Sequence, residues 1–287
     1  MISLSVIILT KDEEANLPYA LESLKPLGAK IYIVDSGSTD RTRAIAERHG
    51  CIVLANPFTT HAKQINWALD NLPIETEWVL RLDADEWLTP ELVAELARKL
   101  PTLPPDITGL MLKRRVYFWG RWIRHGGYYP TWLLRVWRRG AARCEDRDMD
   151  EHMLITNGHI GDLEHDLVDE NHKGLAFWID KHNRYSDKEV TALRTGTVHT
   201  HATEVGASVA RKRKLKNGLY GRAPRFLRAF LYWAFRYVLQ LGFLDGKAGF
   251  VFHFLQGFWY RLVVDAKLEE AERGADFTQA GRPEEKR

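Results

Sequence analysis

Apart from Ser5, apolar and β-branched residues fill Leu4–Leu9, the pattern of a strand covered on both faces. Ala15–Leu24 then carries helical apolar spacing, with Pro18 near its start, where a missing N–H is tolerated. Ile31–Val34 predicts a second strand. The turn Ser36–Asp40 leads into a helix over Thr39–His49, closed by Gly50. A short strand at Ile52–Leu54, a helix at His61–Leu72 and a strand at Trp78–Leu82 follow. Thr89 and Pro90 sit at the N-cap and first position of a helix reaching Leu100. Such alternation predicts an α/β fold, a mostly parallel sheet with covering helices, whose ligand crevice lies at the C-terminal strand ends.

A proline-rich linker over 100–106 precedes two further strands, Gly109–Trp119 and Trp132–Arg138, with the loop "HGGYYP" between them. From Ala207 the pattern changes. Residues 211–225 hold seven basic residues and no acid, and two apolar stretches of 16 residues follow, 226–241 and 249–264. They contain Arg228, Arg236, His253 and Arg261, too much charge in too short a length for a comfortable membrane span. A basic flank beside Trp, Tyr and Phe is the pattern of amphipathic helices lying in an anionic membrane interface. Nucleic acid competes for a basic patch, but nothing else in the chain suggests base readout. Packing on the core or an oligomer contact is the plainer alternative, and the oligomeric state stays open. The expected domains are a catalytic domain over 1–206, with halves 1–100 and 107–206, membrane-associating helices over 207–270, and a flexible tail over 271–287, polar from Arg273.

Composition adds limits. With 287 residues, 45% hydrophobic and 28% charged, the chain is that of a folded protein. A net charge of +3 excludes polyanion binding by bulk charge. Cys51 and Cys144 have no metal or redox spacing, and the N-terminus has no signal-peptide pattern, so a reducing cytoplasmic compartment is expected. Three acidic turns, "TKDEE" at 10–14, "DSGSTD" at 35–40 and "DADE" at 83–86, follow predicted strands and would converge on one sheet edge. Asp83 and Asp85 offer hard oxygen ligands suited to Mg²⁺ or Mn²⁺ and a bound diphosphate. Taken singly, Asp35 and Asp40 read as turn and cap residues, Lys63 as a solvated lysine, and Glu86 as a residue near the metal or in the first turn of the next helix.

Together "SVIILTKDEEANLPYALESL", "IYIVDSGSTDRT" and "WVLRLDADEWLTPEL" resemble the family 2 glycosyltransferases, inverting nucleotide-sugar enzymes of the Rossmann-like GT-A fold, over roughly 3–185. Within the family, "HAKQINWAL" and "DKHNRYS" are most similar to bacterial enzymes of lipopolysaccharide core and exopolysaccharide assembly. The resemblance implies that Thr10 and Glu13 contact base and ribose, and that Asp35 binds uracil or ribose. Ser36 stands where the family often has a second aspartate. Lys63 would approach the diphosphate. Asp85 would be the direct metal ligand, with Asp83 nearer the ribose or sharing the metal. An inverting transfer needs one general base on the acceptor side. "CEDRDMDEHM" at 144–153 supplies Glu151 first, then Asp150, then Asp146. His165 is a weaker candidate for a metal or phosphate contact, and Lys181, Asn183 and Tyr185 fall on the acceptor side.

The aromatic segment 117–132 suits stacking of sugar rings. The resemblance thus predicts a UDP-hexose donor and a membrane-anchored glycolipid acceptor, at the cytoplasmic face of the inner membrane, peripheral or monotopic. A polyprenyl-phosphate sugar transferase and a non-catalytic nucleotide-sugar-binding scaffold are the rival readings.

Overall fold

The computed structural model describes residues 2–145, 152–195 and 223–279. The chain divides into two compact units, one of residues 1–124 with 128–173, the other of 125–127 with 174–287.

The first unit begins with β1 (Leu4–Thr10), α1 (Leu17–Leu24), β2 (Lys30–Asp35), α2 (Thr42–Arg48), β3 (Ile52–Ala55), α3 (His61–Asn71) and β4 (Trp78–Arg81). It continues with β5 (Glu86–Leu88), α4 (Pro90–Lys99), β6 (Ile107–Phe118), β7 (Arg121–Trp122), β8 (Thr131–Arg138), β9 (Ala142–Cys144), β10 (Met153–Ile155) and β11 (His159–Glu170). The main sheet has the order β3-β2-β1-β4-β8-β6-β11-β5, with β7 on β6, and β9 pairs β10 apart from it. Within that order β8 and β5 run against the other strands. The expectation of a largely parallel sheet with covering helices therefore holds.

Side chains alternate across this sheet as strand geometry requires. Leu4, Val6 and Ile8 of β1 pack with Leu17, Leu21, Leu92 and Leu96 of α1 and α4. Ile7, between them in sequence, faces the other way onto Tyr32, Val34 and α3 through Ala62, Ile65 and Ala68. Both faces being covered is why β1 and β4 are mostly apolar, with Ser5, Thr10 and Arg81 as the polar exceptions.

Two local readings are corrected by tertiary contacts, and one strand is added. The second helix starts at Thr42 rather than Thr39, because Asp35 and Asp40 hold the intervening residues in turns; Asp40 Oδ1 accepts the Thr42 N–H at 2.9 Å. Glu86 opens a strand, not a helix, since β5 pairs antiparallel with β11. β11 itself escapes a periodicity reading because His159–Glu170 interleaves acids and histidines with Leu163, Leu167 and Val168.

The polar positions of β11 have a structural use. Glu95 of α4 is buried and accepts the backbone N–H groups of Glu164, at 2.9 Å, and His165, at 3.0 Å; Lys99 Nζ lies 2.7 Å away. Burial pushes its carboxyl upward, but Lys99, these N–H groups and His165 outweigh that and hold it down at about 2. The depressed value means that this stabilisation is complete above the ordinary glutamate range and is lost as pH falls toward 2. Glu95→Gln is expected to cost about 1–3 kcal/mol at pH 7 and to flatten the acid limb of the stability–pH profile, measured by denaturant titration. An unchanged limb would refute the assignment.

The second unit holds α5 (Gly174–Thr195), α6 (Leu227–Ala234), α7 (Gly246–His253) and α8 (Tyr260–Gln279). α6 and α7 each pass into a wider π turn, over Phe235–Leu239 and Phe254–Trp259. Val190 of α5 packs with Tyr260, Val264 and Leu268 of α8. Glu189 takes the Tyr260 hydroxyl and the Arg261 guanidinium, each at 2.6 Å. α5 thus groups with the C-terminal helices. α8 continues past Arg273 to Gln279, where a frayed tail was expected. Among the described residues no helix is long and apolar enough to cross a membrane. The basic run over 211–222 lies outside the described residues.

Candidate active site

The loops after β1 and β2 are laced together. Asp35 is fully buried; its Oδ1 accepts the Thr10 hydroxyl at 3.2 Å and the Ser38 hydroxyl at 2.5 Å. Its Oδ2 accepts the N–H groups of Gly37, at 3.0 Å, and Ser38, at 2.9 Å. Gly37 has φ +82°, a conformation open to glycine that lets the turn close over the carboxylate. From the facing loop, Asp12 accepts the Thr39 N–H at 2.6 Å, and the Glu13 N–H donates to the Thr42 hydroxyl at 2.7 Å. Thr10 and Asp35, both expected to face a nucleotide, are thus the internal ties of this edge.

The acidic turn after β4 closes on itself through a residue of a different strand. The Glu86 N–H donates to the Asp83 carbonyl at 2.9 Å, and the Asp83 N–H to Glu86 Oε2 at 3.0 Å. Arg135 of β8, nearly buried, reaches both acids through one nitrogen: Nη2 lies 2.7 Å from Asp83 Oδ2 and 2.5 Å from Glu86 Oε1. Arg81 Nε holds the other Asp83 oxygen at 3.3 Å. Burial alone would raise the Asp83 carboxyl, yet the Arg135 and Arg81 charges hold it far below the usual carboxylate range. Burial pushes Glu86 the other way, up to about 7, against the pull of Arg135.

Asp85 is different. It is half-buried, and its Oδ2 accepts from Asn171 Nδ2 at 3.0 Å. Its Oδ1 accepts no hydrogen bond among the described residues. Asn171 comes from the end of β11, whose Glu170 N–H also donates to the Asp85 carbonyl at 2.9 Å. Two residues on, Lys173 Nζ lies 2.6 Å from Glu13 Oε1, while Asn16 holds Glu13 Oε2 at 2.8 Å. Burial still raises the Glu13 carboxyl above its ordinary value, with the Asp85 charge adding to it.

The expected residues therefore separate. Thr10, Glu13, Asp35, Asp83 and Asp85 all lie at the C-terminal ends of β1, β2 and β4. Lys63 is exposed on α3, with its N–H on the Thr60 cap at 3.2 Å. His165 is not brought to the acidic turn; its Nδ1 lies 2.9 Å from Glu95, across the α4 packing. Asn183 of α5 takes Lys267 of α8 at 2.8 Å. Glu151, Asp150 and Asp146 lie outside the described residues, between β9 and β10. No cluster of three or more His, Cys, Asp or Glu able to hold a metal occurs among the described residues. Magnesium, which keeps waters and takes one or two carboxylates plus substrate phosphates, needs no such cage. Asp85 fits that demand, whereas Asp83 already serves two guanidiniums.

Arg135, Asn171 and Lys173 were not foreseen. The one available signal was an arginine inside the strand "TWLLRVW", a position that a covered sheet would otherwise fill with an apolar residue.

The family model Glycosyl transferase family 2 matches residues 5–153, just over half of the chain. The chain belongs to glycosyl transferase family 2. The GT-A architecture expected of a family 2 glycosyltransferase is the one described above. Among relatives of this chain, the lipopolysaccharide core biosynthesis glycosyltransferase LpsC of Rhizobium meliloti is 33% identical over 168 residues, 55% of this chain and 59% of LpsC. An uncharacterized glycosyltransferase of Rickettsia felis is 38% identical over 96 residues, and the match spans about a third of each chain, 33% of both. Among solved structures, glucosyl-3-phosphoglycerate synthase of Mycobacterium tuberculosis, with Mn²⁺, uridine diphosphate and glucosyl-3-phosphoglycerate, gives a TM-score of 0.33 at 24% identity. That likeness covers 40% of this chain and 44% of the synthase.

Proposed function

We propose that this family 2 glycosyltransferase moves a hexose from a nucleotide sugar, UDP-hexose in the first instance, to a saccharide carried on a membrane lipid. The setting would be lipopolysaccharide or exopolysaccharide assembly at the cytoplasmic face of the inner membrane. One observation carries the reading: Asp85, with Oδ1 open, stands beside Glu13 at the strand ends where a doubly wound sheet binds its ligand. The likeness to LpsC supports the choice of acceptor class.

In this reading Asp85 would hold Mg²⁺ or Mn²⁺, and Asp83, its charge fixed by Arg135, would serve the ribose side. The metal supplies Lewis-acid stabilisation of the departing nucleoside diphosphate. Glu13 and the laced loops below it shape the nucleoside pocket. The acceptor hydroxyl oxygen forms its bond to C1 as the bond from C1 to the diphosphate oxygen breaks. Glu151 receives the hydroxyl proton.

A thermal-shift panel of nucleotide sugars with and without Mn²⁺ tests the donor side; absence of any stabilisation would defeat it. Glu151→Gln tests the acceptor side. Turnover is expected to drop about 10²–10⁴-fold with nucleotide binding retained. Near-wild-type turnover would remove Glu151 as the base and favour a phosphate acceptor, which needs none.

A further inference from the structure

Between Phe226 and Phe254 the second unit is inside out. Thirteen residues there are exposed; twelve are Phe, Leu or Val, and the thirteenth is Lys247. Leu239 is 72% exposed and Leu231 and Val238 are each 51% exposed. Apart from Lys247, the charged side chains of the same segment have partners within the unit. Arg228 Nε lies 2.9 Å from Asp265, itself buried. Arg236 Nε donates to the Gly126 carbonyl at 2.5 Å. Asp245, buried, accepts from the His125 N–H at 3.0 Å and lies 2.7 Å from His125 Nδ1. His253 is 1% exposed; burial, with the Arg236 charge, pushes its imidazole down to about 4. Gly126 (φ +69°) admits this packing, since a Cβ there would come within 2.1 Å of the His253 ring.

The four charges that made 226–264 look too polar for lipid are therefore not a water-facing stripe. Arg228 and Arg236 are half-buried on Asp265 and the Gly126 carbonyl, His253 is buried, and Arg261 is taken by Glu189. A water-facing helix would show the reverse arrangement. Isolated apolar residues on a surface are ordinary, but a continuous run of this kind marks an interaction site.

We infer that the face formed by α6, α7 and the π turn after α6 inserts in the plane of an anionic lipid bilayer. No described helix is long and apolar enough to span, so the contact proposed is one-sided. The charge of the chain selects lipid over another protein surface. The only exposed charge within the face is cationic, and the sequence just before it, 211–225, carries seven basic residues and no acid. Phe and Leu supply the buried apolar area, and Trp233 and Tyr237, stacked at 5.4 Å, belong to the residue types that favour the headgroup level.

Flotation of the full chain with vesicles of phosphatidylcholine, with and without phosphatidylglycerol, tests this without any donor or acceptor, so it stands or falls apart from the transfer reading. The wild type is expected to float with the anionic vesicles. Leu239→Glu with Phe243→Glu should reduce the bound fraction at least tenfold with an unchanged melting temperature, and Leu239→Phe should retain binding. A wild type that stays with the soluble fraction, or a double variant that still floats, overturns the inference. So does a wild-type oligomer, seen by light scattering without lipid, that the double substitution turns into monomer: a second copy would then cover the face.

Discussion

Asp85→Asn is expected to lower metal-dependent turnover about 10³-fold, near 4 kcal/mol of transition-state stabilisation, and to abolish the extra thermal stabilisation that Mn²⁺ gives with UDP. The expectation follows from the asymmetry of the two aspartates. Asp85 has one oxygen on Asn171 and one with no hydrogen bond among the described residues, whereas both oxygens of Asp83 are held by guanidiniums. An amide at 85 keeps the Asn171 contact and the size of the side chain while removing the charge a hard cation needs. The fold should be untouched, because Asp85 is half-buried and belongs to no buried ion pair. Metal titration against melting temperature in the presence of UDP reads the effect independently of the acceptor. If the variant keeps the wild-type Mn²⁺ response, the metal does not sit on Asp85.

The largest loss of stability is expected from Arg135→Met, about 3–5 kcal/mol. Arg135 is the counter-charge of two acids, and the cost arises from what its removal leaves behind. Glu86, 1% exposed, would keep its carboxyl with only the Asp83 N–H as partner, and Asp83 would keep only Arg81. Pairing Arg135→Met with Glu86→Gln should recover part of the loss, because an amide has no charged form for burial to disfavour once the guanidinium is gone. Such coupling distinguishes a shared ion cluster from simple loss of packing. Urea denaturation of the two single variants and the double variant measures it, and strictly additive costs would contradict the bridged geometry.

The strand ends show where sequence reasoning was sufficient and where it stopped. Apolar runs at Leu4–Leu9 and Trp78–Leu82 and the capped helix at Thr89 were legible because each follows from local periodicity or local hydrogen bonding. The family likeness was legible for the same reason, in three short motifs within the matched residues. Strand β11 was not, since its acids and histidines are satisfied by Glu95 and by loops distant in sequence rather than by neighbours. His165 lies on Glu95 rather than at the acidic turn, and nothing near it in the chain announces Glu95.

The sequence by itself determined the class of fold, the family, and the location of the acidic turns at one sheet edge. These depend on the order of elements and on spacings within them, which the chain carries locally. Only the tertiary structure decided which acid is tied and which is open, because Arg135 reaches Asp83 and Glu86 from a strand that is 49 and more residues away. Tertiary structure also reversed the meaning of the C-terminal charges. Arg228 and Arg236 look water-seeking in the sequence, yet in the fold they point inward to Asp265 and the Gly126 carbonyl. The apolar residues between them are left facing outward, since a buried charge must find a partner whereas an exposed leucine needs only a different solvent.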